Sequence, residues 1–184
     1  MADTKKKKPD TTAKAIAARL EDARFRAELI QLAGRILIIA LAAWIMFSKV
    51  LLITQAKGQN MFPSVKDGDL VIAFRMQKEY AKGDIVVCTV NGERYVGRIA
   101  ANQTDNVGMD ESGALSVNGT VQSGEIIYPT FARGPLEYPF HVPEGCVFLL
   151  GDYRTGAEDS RDFGPVPYSQ VEGKVITILR RREL

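Results

Sequence analysis

The sequence predicts a mostly β protein behind an N-terminal membrane-anchoring helix, and three observations carry that prediction. One is a long apolar run near the N-terminus with basic residues on one side of it. Another is a change of texture beyond residue 53, where short runs rich in Val, Ile and Thr alternate with Gly, Pro, Asn and Asp. The third is that no helical period of comparable length follows the apolar run.

The apolar run 36–47 (ILIIALAAWIMF) is too short to cross a bilayer alone, but Ser48 and Lys49 are followed by apolar residues 50–53. A span over 36–53, with Lys49 reaching toward the headgroups, approaches the roughly 20 residues that a membrane helix needs. Residues 1–35 hold nine Lys or Arg against five Asp or Glu, so the positive-inside rule places this tail in the cytoplasm and the rest of the chain outside. No small-residue pattern such as Ala-x-Ala closes the span, which therefore reads as a retained anchor of a single-pass cell-membrane protein. The expected organisation is a basic cytoplasmic helical tail over 1–35, an anchor over 36–53 and an extracytoplasmic β domain over 54–184. Within the tail, 12–34 is rich in Ala, Leu, Arg and Glu and reads as helix running into the membrane.

Residues 70–74, 85–90, 94–101, 147–150 and 174–179 are the strand candidates, and Asn91-Gly92 and Asn118-Gly119 suit two-residue hairpin turns. With 46% apolar and 25% charged residues, the chain has the composition of a folded protein. The net charge of +2 comes from the tail; the remainder holds fifteen basic against seventeen acidic residues, which argues against a nucleic-acid partner. Cys88 and Cys146 are the only cysteines and His141 the only histidine, so a zinc site of Cys and His ligands is excluded. Neither a metal nor a cofactor is expected. His141 lies between Pro139 and Pro143 and reads as a solvated loop residue. The two cysteines lie on apolar strand-like runs, which suits buried thiols and leaves a disulfide open.

Three blocks then carry a resemblance. Gly58-Gln-Asn-Met-Phe-Pro-Ser64 with Gly68-Asp69, Gly83-Asp-Ile-Val-Val87 with Tyr95-Val-Gly-Arg-Ile99, and Gly151-Asp-Tyr-Arg154 with Asp159-Ser-Arg161 and Gly164 resemble, in order, the boxes of type I signal peptidases. The resemblance implies an antiparallel β domain with a smaller inserted β region at about 102–143. It also implies a cleft in which an extended peptide adds as a strand between 54–59 and 94–98. Gly58, Asn60, Met61, Pro63, Val96 and Gly97 would line this cleft, and Asp159 and Arg161 would brace it.

Members of that family cleave with a serine whose proton is taken by a neutral lysine. The matching positions here hold Asn60 for the serine, Gly97 for the lysine and Ala157 for the serine that orients the lysine. A carboxamide nitrogen is a poor nucleophile and glycine accepts no proton, so the resemblance implies a scaffold without the family's dyad and a protein that binds and does not cleave. In this respect the chain resembles the signal-peptidase-like pilus-assembly protein of Gram-positive bacteria, whose partners would be pilin subunits, a class C sortase, or both. Two alternatives stand beside it: an active serine endopeptidase with a dyad relocated to Ser64 and Lys57 or Lys66, and a general module for binding envelope proteins.

Overall fold

The computed structural model describes residues 11–122, 126 and 128–180. They fall into two compact units, one up to Ile45 and one from Met46 onward. In the first, helix α1 (Thr11–Ile45) runs unbroken from within the expected tail into the expected anchor. Ala, Leu, Arg and Glu favour the helix throughout, and no proline interrupts it. Its apolar side chains Leu37, Ile38, Ile39 and Trp44 are exposed, and the helix is long and apolar enough to cross a membrane.

The expected anchor ends too late. A π-helical turn (Met46–Val50) terminates the helical stretch, and the next residues form strand β1 (Leu51–Gln55). Residues 51–53 therefore belong to a sheet. Leu52, only 5% exposed, packs in the core while Ile53 points outward, the alternation of a strand with one buried face.

The second unit is built on one seven-stranded sheet. After β1 come β2 (Leu70–Phe74), β3 (Ile85–Val90), β4 (Glu93–Ala101), β9 (Cys146–Leu150), β10 (Val166–Pro167) and β11 (Val171–Leu179), in spatial order β1-β2-β11-β3-β4-β9-β10. Every pairing in it is antiparallel. The last strand closes the sheet by pairing its first half with β3 and its second half with β2. Gly173 permits this crossing, because a Cβ there would lie 2.8 Å from the Phe74 carbonyl oxygen. A second sheet of four short strands, β5 (Asn106–Met109), β6 (Leu115–Val117), β7 (Thr120–Val121) and β8 (Phe140–His141), lies within 102–143. Asn91 and Asn118 both take positive φ, 52° and 53°, with glycine following, as hairpin turns require.

Strand β9 joins the two layers. Val147 and Leu149 pack with Val86, Cys88 and Ile99, whereas Phe148 and Leu150 pack with Val107 and Val117 of the second sheet and with Val142 just after it. Burial on both faces is why 147–150 reads as an unbroken apolar run and not as an alternating one. Cys88 and Cys146 are free thiols, and burial pushes the Cys88 thiol up to about 12.

A four-residue helix, α2 (Ser160–Phe163), sits beside β9 and is packed from outside by the loop at Gly134. Gly134 has φ +71°, and a Cβ there would run into the Arg161 carbonyl oxygen. Gly145 has nearly the same φ, +73°, with open space around it. Gly134→Ala should therefore lower stability by about 1–3 kcal/mol more than Gly145→Ala, the backbone strain being shared and the collision not. Urea midpoints of the two variants measure the difference.

Candidate functional site

The loop 56–69 carries the first group of predicted site residues and is closed at its neck. The Ala56 N–H donates to the Asp69 carbonyl (2.8 Å), and the Gly68 N–H donates to the Ala56 carbonyl (2.9 Å). Buried Asp69 accepts the Lys66 N–H at 2.9 Å. Met61 and Val65, one turn apart and almost fully buried, plug the loop into the core beside Leu52, Val71 and Val87. Burying such side chains stabilises by about 1.5–3 kcal/mol each, which fixes the turn that presents residues 60 to 64. Pro63 is exposed on this turn and follows a cis peptide bond. Gly58 takes φ +74°, and its N–H is committed to Asp67 at 2.7 Å, so it is not a free donor for a developing oxyanion.

The third block closes over this loop. The Tyr153 N–H donates to the Asn60 carbonyl at 3.1 Å. Gly151 lies between Asn60 and Ala157: a Cβ on it would meet the Ala157 Cβ and come within 2.5 Å of the Asn60 carbonyl oxygen. The structure thus brings positions 60 and 157 to one place, and the Asn60 carboxamide donates to the Glu158 carbonyl at 3.5 Å. Gly97 is buried in β4 with a Cβ position 3.4 Å from Leu149, an ordinary contact, so a side chain there is not blocked at its root. Val96 shares a small pocket of about 10 Å³ with Gly58, Asn60 and Met61, room for one water.

Asp159 and Arg161 form a buried, two-pronged ion pair (Nε–Oδ1 2.8 Å, Nη2–Oδ2 2.7 Å). Asp159 also caps α2, accepting the Arg161 N–H at 3.1 Å, and accepts the Gly151 N–H at 3.1 Å. Arg161 in turn donates to the Arg154 and Phe131 carbonyls. Arg133 adds donors to the Ala157 carbonyl and the Asp162 carboxylate. Sequence reasoning missed Arg133, whose partners lie 24 and 29 residues away, and it quoted Arg154 within the third block without a role.

Arg98 holds the floor. It binds Asp152 through two bonds of 2.8 and 2.6 Å, donates to the Gly83 carbonyl at 2.9 Å, and places Nη2 3.4 Å from the Ser64 hydroxyl oxygen. The relocated dyad suggested from sequence paired Ser64 with Lys57 or Lys66. Among the described residues no hydrogen bond joins them; both lysines are exposed and line a pocket with Gln55, Asp67 and Asp69, and Lys57 also lines the groove that holds Asn60.

Next to this floor runs a groove of about 670 Å³, lined by Thr54 and Gln55 of β1, Asn60, and residues 93–96 of β4. Both of its strand walls have open edges. Among the described residues strand β1 ends the sheet and pairs with β2 alone, while the pairing of β4 with β9 begins only at Arg98. At the mouth, Arg94 binds Glu172 through bonds of 2.7 and 2.9 Å, and Thr89 donates to the same carboxylate at 2.6 Å. Among the described residues no cluster of three His, Cys, Asp or Glu is placed to hold a metal. His141, predicted as a solvated loop residue, lies on β8 with Nδ1 3.1 Å from the Asn106 carboxamide oxygen, and is remote in sequence from every groove residue.

Such an architecture puts a helix long and apolar enough to cross a membrane ahead of an antiparallel β domain whose two open strand edges flank a groove. The comparisons are more specific. The signal peptidase family, peptidase S26, matches residues 28–179, and the chain belongs to that family. It is 31% identical over 135 residues to signal peptidase I of Bacillus caldolyticus, covering 65% of this chain and 74% of that protein. It is 32% identical over 133 residues to a probable thylakoidal processing peptidase 2 of Arabidopsis thaliana. That match covers 64% of this chain but spans only 35% of the plant protein. A crystal structure of a signal peptidase I from Enterococcus faecalis matches at 29% identity and a TM-score of 0.45, covering 54% of this chain and 98% of that one.

These relatives correct the expectation that the chain is not an enzyme, because they are named peptidases. The physical reason lies in what the substitutions remove. Asn60, Gly97 and Ala157 eliminate one arrangement of reacting groups, but a half-buried hydroxyl, that of Ser64, remains one turn away against Arg98.

The Glu172 carboxyl titrates below its ordinary 4.5: burial pushes it up, but hydrogen bonds from Arg94 and Thr89 and the charges of Arg94 and Arg75 outweigh that. A group lowered on folding stabilises fully above the unfolded value and loses that contribution as pH falls through the folded value. The stability advantage of the native chain over Glu172→Gln should therefore be present at neutral pH and shrink below about pH 4.5. Urea unfolding of both proteins across that range tests it, and an advantage independent of pH would contradict the assignment.

Proposed function

We propose that this chain is a membrane-anchored processing endopeptidase of exported polypeptides, which takes an extended segment into the groove between β1 and β4. The single observation that carries the reading is the pair of unpaired strand edges facing one groove: together they offer main-chain donors and acceptors on both sides of an added strand. Endopeptidase action is supported by the names of the relatives; in it the Ser64 hydroxyl would add to the scissile carbonyl while its proton passes through solvent water to the amine that leaves as the C–N bond breaks. Beside Ser64 the Arg98 guanidinium stays charged, so it would stabilise an oxyanion and could not act as base. Among exported polypeptides, a pilin subunit is a substrate class consistent with the expectation from sequence, and a class C sortase would be a neighbour in the same envelope.

The test uses the full chain in detergent with a preprotein carrying an apolar signal segment. Cleavage should be seen, Ser64→Ala should slow it about a hundredfold or more, and Thr54→Trp, which fills the groove from its β1 wall, should weaken peptide uptake. Capture of the preprotein with no cleavage would overturn the endopeptidase reading, and cleavage indifferent to Ser64→Ala would overturn the role of that hydroxyl.

The tail before Arg35 carries the basic excess, and we place it in the cytoplasm with the β domain outside. Protease added to intact protoplasts should digest the region after residue 53 and spare an epitope fused ahead of Met1. Survival of the β domain would reverse this topology.

A further inference from the structure

We infer that a second cavity, between β4, the β5–β6 turn and the loop after Gly151, is a binding site for a small organic carboxylate carried on an apolar body, with Arg154 as its anchor. The cavity measures about 560 Å³, within the range of small-molecule sites. It shares no lining residue with the groove between β1 and β4, and Arg98, which borders it, is the one residue it has in common with the proposed peptidase chemistry.

Its lining divides by chemistry. Ile99, Ala114 and Leu115 make the apolar part, three cations, Lys82, Arg98 and Arg154, make the charged part, and among the described residues no Asp or Glu lines it. Two of those cations are already neutralised: Lys82 pairs with Asp105 at 3.1 Å, and Arg98 with Asp152 at 2.6 Å. Arg154 differs. It is 6% exposed, and its Nε and Nη1 donate to two neutral acceptors, the Gly151 carbonyl and the Thr130 hydroxyl, each at 2.8 Å. Among the described residues its Nη2 makes no hydrogen bond, and no carboxylate lies within ion-pair distance of it.

A buried guanidinium without an ion-pair partner is a costly arrangement, and burial duly pulls the Arg154 pKa down to about 10 although Asp152 and Asp159 oppose that shift. One unbalanced cation matches a monoanion better than a phosphate dianion. The remaining guanidinium donors form a fork suited to a carboxylate, and the apolar half of the lining suits an aliphatic or aromatic body.

The full chain in detergent is titrated calorimetrically with two acids and their amides: acetyl-Ala-Leu-Ala with a free or amidated C-terminus, and 4-phenylbutyrate or its amide. At least one acid should bind, with its amide weaker by about tenfold or more, the difference expected for a hydrogen bond to a charged group. Preference for the tripeptide acid identifies a peptide C-terminus as the source, and preference for 4-phenylbutyrate a free small acid. Arg154→Gln should erase the preference for acid over amide. If Arg154→Gln fails to fold, Ala114→Trp decides, because it fills the cavity while leaving Arg154 and its partners in place, and it should abolish binding. No binding of either acid at millimolar concentration, equal binding of acid and amide, or unchanged binding in Ala114→Trp would overturn the site.

Discussion

The ion pair of Asp159 and Arg161 is the interaction on which the site depends, with side chains 3% and 1% exposed. One carboxylate holds the end of β9 through the Gly151 N–H, starts α2 by capping it, and neutralises the guanidinium that ties down the Arg154 and Phe131 carbonyls. Removing one member would leave a buried charge, which in such pairs costs about 3–5 kcal/mol. The loop 151–159 has few apolar residues to hold it, so its shape rests on these polar bonds, and through the Tyr153 N–H and Asn60 carbonyl bond it sets the position of the turn at 60–64. Packing alone would not specify that placement, because a hydrophobic contact has no direction and these bonds do.

The strands of the main sheet were largely legible because their apolar residues are local signals. Residues 70–74 and 85–90 match β2 and β3 at both ends, and β4 begins one residue earlier than expected. What failed was the junction at 50–53, where Val, Leu and Ile suit both a membrane helix and a strand. The decision between them comes from pairing with Phe74 to Leu70, some twenty residues away, which no local pattern reports. The start of β11 was missed for a related reason. Val171-Glu172-Gly173 looks like a break in the strand until Glu172 is seen to be answered by Arg94 and Gly173 to make room for Phe74. The strands of the second sheet are two to four residues long, too short to carry a period.

At the site, Asn60, Gly97 and Ala157 were legible as departures from the family's boxes, and the structure places Asn60 and Ala157 around Gly151. The inference drawn from those departures, that no enzyme remains, went beyond what they establish. Position-by-position comparison detects the loss of a group at its expected place and is blind to a hydroxyl brought near a guanidinium by the fold, as with Ser64 and Arg98. Ser160 shows the converse: it is a serine within the third block, yet its hydroxyl is wholly buried and accepts the Leu149 N–H, so sequence proximity to the box says nothing about reactivity.

The open inner edges of β1 and β4 have a thermodynamic consequence. Their peptide groups face the groove with no strand opposite, so in the empty molecule solvent must occupy those donors and acceptors. An incoming chain exchanges one set of hydrogen bonds for another, and each exchange nets only about 0.5–1.5 kcal/mol. The main chain therefore contributes register and direction with little discrimination, since every polypeptide carries the same amides. Discrimination falls to the few side chains that line the groove, and the release of ordered water from between two strand edges becomes the step that a tight ligand must complete.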